Sequence, residues 1–191
     1  MLHVIAKTRT GQAFDRMTLP IAIETITTRA ATPDDEAAVS ALHAHVFGPG
    51  RFARTAYRVR EGASDHQRPF STFCRIAERT DGRLVAALKM TPVAIGNATG
   101  ALLLGPLAVD PDFAGQGYGR QLVGEVIEEA RAQGRDIVVL VGDEPYYGRF
   151  GFKRVPYGQI RLPGPVNVDR ILAVALNEGA LDRYRGLMTA L

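Results

Sequence analysis

Apolar and polar residues partly alternate from Ala22 to Arg29 (AIETITTR), which predicts a β-strand. The period then lengthens. In TPDDEAAVSALHAHVFG, Val39, Leu42 and Val46 recur at helical spacing. Thr32 as cap, Pro33 in the first turn and Asp34 and Asp35 at the positive end mark the entry, and Gly48, Pro49 and Gly50 mark the exit. RFARTAYRVREG predicts a second helix, with Phe52, Ala56 and Val59 on one side and Arg51, Arg54 and Arg58 on another. STFCRIAER and RLVAALKMTPVAI form a hairpin about Asp81-Gly82. Ala101 to Asp110 (ALLLGPLAVD) is a further strand with an irregularity inside it. Pro106 has no amide hydrogen, so its ladder must break or bulge there. After a glycine-rich loop, Leu122, Val123, Val126, Ile127 and Ala130 form the buried stripe of a helix that runs to about Gln133, with Gly134 as its stop. DIVVLVG reads as a central strand covered on both faces. EPYYGRFGF reads as a short helix and turn, and the segments around Ile160 and from Ile171 to Leu176 as late strands.

Strands and helices interleave without a repeat or a dividing linker. The expectation is an α/β (α+β) fold in one domain over residues 21–191, preceded by a loose leader at 1–20. With 191 residues, 46% hydrophobic and 23% charged, the chain is long enough and apolar enough to bury a core. The net charge of +3 is mild, and only Lys7, Lys89 and Lys153 among 23 basic residues are lysines. Charge this low argues against a nucleic-acid partner. No apolar run approaches a membrane span, and no membrane partner or secretory signal is expected. Cys74 is the only cysteine, which excludes an internal disulfide and fits a cytoplasmic location. No metal site is expected: His3, His43, His45 and His66 form no ligand spacing, and His43 and His45 read as helix-surface residues.

The chemistry concentrates at Ala114 to Arg120, AGQGYGR, where Gly115, Gly117 and Gly119 precede a helix. Amides at a helix N-terminus point outward unpaired, and the helix dipole adds positive character. Glycines let backbone approach an anion closely and adopt positive φ, and successive N–H groups then cradle phosphate oxygens. The loop lacks the Gly-Lys-Ser/Thr ending of a Walker loop, and the spacing G-x-G-x-x-G fails from either Gly115 or Gly117.

The segment LGPLAVDPDFAGQGYGRQLV…GRDIVVLVGDEPYYGRFGF resembles the GNAT superfamily of acyl-CoA-dependent N-acetyltransferases, and within it the YhbS type. The resemblance implies a mixed central sheet of about six or seven strands with a splayed parallel pair, flanked by helices. It implies acetyl-CoA as cosubstrate, with the pantetheine arm lying in the splay. Leu107, Ala108 and Val109 would then offer backbone groups to the arm and the acetyl carbonyl. Ala114, Gly115, Gln116, Gly117, Tyr118, Gly119 and Arg120 would hold the pyrophosphate. Gly117 and Gly119 match the family signature Arg/Gln-x-x-Gly-x-Gly/Ala. Ala114 departs from it and removes one side chain that braces the loop. YGRFGF resembles the family's Tyr-x-x-x-Gly-Phe segment and places Tyr147 at the tyrosine facing the CoA sulfur, with Tyr146 and Phe150 as alternatives or packing partners.

The implied reaction is acetyl transfer to a primary amine of a small molecule or protein by direct attack. A phenol with pKa about 10 is protonated at pH 7, so Tyr147 would serve as general acid to the departing thiolate. The attacking amine must first lose a proton, and Asp143, Glu144, Glu78 and His66 are candidates to take it, each also readable as a plain surface residue. The arginines between Arg51 and Arg68 hint at an acidic group on the acceptor. A homodimer is compatible with the sequence. The alternative function is a non-catalytic acyl-CoA-binding sensor or interaction domain on the same scaffold.

Overall fold

A computed structural model describes residues 25–50, 57–59 and 72–191. The expected leader and most of the arginine-rich helix lie outside the described residues, but residues 57–59 are helical. The strands are β1 (Ile26–Ala30), β2 (Arg75–Arg79), β3 (Leu84–Ile95), β4 (Ala98–Val109), β5 (Ile137–Val141), β6 (Lys153–Arg154), β7 (Ile160–Arg161), β8 (Ile171–Ala175) and β9 (Gly186–Ala190). The helices are α1 (Glu36–Phe47), α2 (Tyr118–Ala132) and α3 (Glu144–Tyr147). The sheet therefore has nine strands among the described residues, against the six or seven expected. Two of them, β6 and β7, are only two residues long, too short to leave a sequence period.

The main path through the sheet is β1-β2-β3-β4-β5-β8-β6. β3 is long enough to serve two neighbours on one edge. Its first part pairs with β2, and its last residues, Val93 to Ile95, pair with β9. The Asp81-Gly82 hairpin forms as expected, with Gly82 at φ +83° and the Asp81 carboxylate accepting from the Arg83 amide. α1 opens through a short 3-10 turn. Thr32 and Asp35 form a capping box, and Asp35 is also held by Arg29, which drives its carboxyl far below the ordinary range. The stripe Leu122, Val123, Val126, Ile127 and Ala130 of α2 is fully covered and packs with Leu88, Met90, Leu102 and Leu140.

Two features of this frame matter for function. First, β4 and β5 are parallel partners only over Ala101–Ile137, Leu102–Val138 and Leu103–Val139. β4 then continues to Val109 on its β3 side, with Leu107, Ala108 and Val109 opposite Leu88, Ala87 and Ala86. The β3–β4 register slips by one residue between Leu88–Leu107 and Met90–Leu104, at the Gly105–Pro106 step, where the peptide is cis. The irregularity expected at Pro106 is thus a bulge with a one-sided strand beyond it.

Second, the narrow end of this wedge is pinned by Asp136. The hydroxyl of the buried Tyr184 lies 2.7 Å from the Asp136 carboxylate and 2.6 Å from the Thr99 carbonyl. Asn177 and Arg183 donate to the other carboxylate oxygen. These contacts hold the carboxyl of Asp136 below its usual range and, with burial, push the Tyr184 phenol up. Tyr184→Phe strips the ionised Asp136 of a buried donor. We expect a loss of about 2 kcal/mol in urea denaturation, the scale of a hydrogen bond to a charged group.

Candidate active site

The wedge between β4 and β5 opens into a cleft of about 400 Å³. Leu104, Gly105, Pro106 and Leu107 form one wall, and Val141, Gly142, Asp143 and Tyr147 the other. Phe47 of α1 and Tyr57 border it from one end, and Pro165, Val166, Asn167 and Arg170 from another. From Leu104 to Val109 the edge of β4 turned toward β5 lies beyond the β4–β5 ladder, although the strand keeps its β3 partner. A strand edge of that kind can pair with an extended amide-bearing chain laid along it.

At the wide end of the wedge stands the start of α2. A hollow there is lined by Gly115, Gln116, Gly117, Tyr118, Arg120, Gln121 and Gly124. The first intrahelical bond runs from the Gln121 amide to the Gly117 carbonyl, so the amides of Tyr118, Gly119 and Arg120 precede the helical ladder. Together with the Arg120 side chain they bring N–H donors and positive charge to this hollow.

The three glycines serve two purposes. Gly115 and Gly117 sit at φ +78° and +95°, where L side chains are strained, and Gly117 is the N-cap. Gly119 has an ordinary helical φ, and its requirement is space. A Cβ there would lie 3.1 Å from Val109 Cγ2, 3.2 Å from Tyr146 Oη and 3.5 Å from Leu107 Cδ2. The flexibility expected of all three positions thus applies to two of them. The missing Cβ at Gly119 lets α2 close on the end of β4.

Ala114 is exposed and braces nothing, as its side chain suggests. The loop is held from the other side. Asp110, buried directly after Val109, accepts hydrogen bonds from the Asp112 amide and from Arg83 at 2.8 Å. Arg83 keeps the Asp110 carboxyl below its usual range, also reaches Asp112, and lies 5.5 Å over the Phe113 ring. Phe113 in turn meets Tyr118 edge to face at 6.4 Å. Arg83→Ala is expected to weaken the binding of an anionic ligand at this loop roughly two- to fivefold in a calorimetric titration, the scale of an exposed charge pair acting through a loop.

Tyr147 stands in the cleft on α3, placed there by the short connection after β5. Its ring packs edge to face on Phe152 at 5.9 Å and on Tyr146 at 4.8 Å. Burial pushes its phenol up to about 12. Tyr146 does not line the cleft. It points to Gly119, beneath the Arg149 guanidinium, and Phe150 packs against it at 6.3 Å. Gly142 is also a steric glycine, because a Cβ there would collide with the Tyr147 ring and with Leu140.

Of the candidate proton acceptors, Asp143 lines the cleft but is engaged by Arg170 at 3.2 Å. Glu144 is paired with Arg154 at 2.8 Å. Glu78 lies on β2, paired with Arg29, and is not among the cleft residues. His66 lies outside the described residues. His43, expected on a helix surface, is instead 2% exposed, while His45 is exposed as expected. The apolar positions Val39 and Leu42 beside His43 were the sequence signal that this face of α1 turns inward. Among the described residues no group of three or more His, Cys, Asp or Glu side chains could hold a metal, and no helix is long and apolar enough to cross a membrane.

Comparison with known proteins agrees with this geometry. The family model described as an acetyltransferase (GNAT) domain matches residues 27–155. The uncharacterized N-acetyltransferase YhbS of Escherichia coli is 29% identical over 161 residues, spanning 84% of this chain and 93% of that protein. The crystal structure of Escherichia coli YhbS in complex with CoA superposes with a TM-score of 0.72 at 27% identity, covering 87% of this chain and 89% of that one. A GNAT family acetyltransferase from Brucella melitensis in complex with acetyl-CoA gives a TM-score of 0.55 at 27% identity, over 83% and 99% of the two chains. With its splayed β4–β5 pair, its glycine-led helix and a family match across two-thirds of its length, the chain belongs to the GNAT acetyltransferase family.

Proposed function

We propose that this protein transfers the acetyl group of acetyl-CoA to a primary amine of a small molecule or protein, with Tyr147 as proton donor to the departing thiolate. The observation that carries the reading is the one-sided stretch of β4 from Leu104 to Val109, with a glycine-capped helix start at one end and a buried phenol across the cleft. The binding of CoA and acetyl-CoA by the two similar proteins supports it.

The residues fit the cosubstrate part by part. The amides of Tyr118, Gly119 and Arg120, with Gly115, Gln116 and Gly117 shaping the turn, would hold the diphosphate. The β4 edge at Leu107, Ala108 and Val109 would pair with the amides of the pantetheine arm. Bound there, the cosubstrate supplies an activated acetyl group as a thioester. A backbone N–H near Val109 would face the acetyl oxygen as it gains negative charge. The neutral amine nitrogen forms the new C–N bond as the C–S bond breaks, the Tyr147 hydroxyl gives its proton to the sulfur that takes the electron pair, and the proton the nitrogen sheds passes through solvent to restore the phenol. The neutral state of Tyr147 is secured by its burial.

The test is release of free thiol from acetyl-CoA in the presence of a broad panel of primary amines, including lysine peptides, ethylamine and 2,2,2-trifluoroethylamine. Amine-dependent release supports the reading. Saturable acetyl-CoA binding with no release across the panel would identify a sensor domain instead.

A further inference from the structure

The carboxylates around the cleft are engaged with cations: Asp143 with Arg170 and Glu144 with Arg154. The carboxylates near the start of the fold are engaged as well, Glu36 with Lys89 and Glu78 with Arg29. A carboxylate held by a cation is a weak proton acceptor. A different group borders the cleft. Tyr57 lines it, and the Tyr57 hydroxyl lies 3.4 Å from Nδ1 of His43. His43 is 2% exposed on α1, one turn before Phe47, which also lines the cleft. The two rings are 5.9 Å apart and tilted by 47°, so the imidazole is held in a fixed attitude behind the cleft wall. Imidazole is the side chain whose ordinary proton affinity is matched to neutral pH.

Resting on the acetyl-transfer reading above, we propose that Tyr57 and His43 form the route by which the acceptor amine loses its proton. The Tyr57 oxygen takes a proton from the cationic amine as the Tyr57 proton passes to Nδ1 of His43. The amine becomes neutral, the imidazole becomes imidazolium, and charge is conserved. The reverse transfer to water in the emptied cleft resets the pair after product leaves. The route requires Nδ1 to accept from the Tyr57 hydroxyl, and so the tautomer that carries the resting imidazole proton on Nε2. The 3.4 Å separation is long for a resting hydrogen bond, and such contacts tighten when substrate fills the site. Tyr57 is the residue that meets the amine, and His43 acts through it.

The experiment compares ethylamine, a cation at pH 7, with 2,2,2-trifluoroethylamine, which is already neutral. His43→Asn keeps a polar group near Nδ1 without a basic nitrogen, and Tyr57→Phe removes the relay oxygen from a half-buried position. Each variant is expected to lower kcat with ethylamine about a hundredfold, while the rate with trifluoroethylamine stays within about threefold of wild type. Unchanged acetyl-CoA affinity verifies that the variants are folded, and Tyr57→Phe alone carries the test if His43→Asn does not fold. Equal losses with both amines would assign the pair a purely structural role and overturn the relay, as would no loss with either. If the wild type releases no thiol with these or any amine of the panel, the transferase reading itself fails. A wild type active on both, with unimpaired variants, sinks the relay alone.

Discussion

Tyr147→Phe is expected to lower kcat for thiol release by roughly tenfold to a hundredfold while leaving the KM for acetyl-CoA within about twofold. The reasoning starts from the leaving group. A thiolate departs tolerably without help, so removal of its donor slows the step and does not abolish it. The ring itself is held by Phe152 and Tyr146, and phenylalanine keeps those edge contacts, so binding should survive. The pH dependence provides a second check. Burial raises the Tyr147 phenol to about 12, and a raised pKa keeps the donating form present to higher pH. An ordinary phenol, with pKa near 10, would be mostly ionised at pH about 10.5. The wild-type kcat should therefore hold its plateau to about pH 10.5, measured against the uncatalysed thioester background. A decline centred near pH 10 would refute the assignment, and so would an unaltered kcat in Tyr147→Phe.

The second large effect is expected at Gly119. Its missing side chain is a matter of clearance, since a Cβ would press on Val109 and the Tyr146 hydroxyl while meeting Leu107 at ordinary contact distance. Val109 belongs to the end of β4 and Tyr146 to α3. Gly119→Ala should weaken acetyl-CoA binding severalfold, because a contact of 3.1 Å needs a shift of only a few tenths of an ångström. Gly119→Val should weaken it roughly a hundredfold, corresponding to about 3 kcal/mol of overpacking and a blocked gap. Calorimetric titration with acetyl-CoA, beside a thermal melt of each variant, reads both quantities. A graded loss of affinity at constant fold is the expected pattern. Full affinity in Gly119→Val would place the ligand elsewhere.

Local features were legible in the sequence where a single residue type carries a physical obligation. Pro106 announced the bulge in β4, because proline cannot donate to a ladder. Thr32, Pro33 and Asp35 announced the start of α1, and the stripe on α2 was readable residue for residue. What was not legible depends on partners distant along the chain. Nothing in Gly186–Ala190 indicates that it will pair with Val93–Ile95, about ninety residues earlier in the sequence. The apparent bases looked available because their cations are remote: Glu78 meets Arg29, and Glu144 meets Arg154, only after folding. His43 looked like one of two surface histidines because a single imidazole hardly disturbs a helical period, yet its neighbours Val39 and Leu42 carry it inward. Gly119 looked like its flexible neighbours because composition does not separate a glycine needed for φ from one needed for clearance.

The divergence of β4 from β5 has a mechanical consequence. Three rungs, Ala101–Ile137 to Leu103–Val139, join two half-sheets like the closed end of a pair of tongs. Val109 and the glycine loop ride on one arm, and the phenol of Tyr147 on the other. The open end is propped by Tyr146, whose hydroxyl reaches across to Gly119. The adjacent tyrosines therefore divide the labour: the length of one side chain acts as a gauge for the jaw, and the other works at the aperture so fixed.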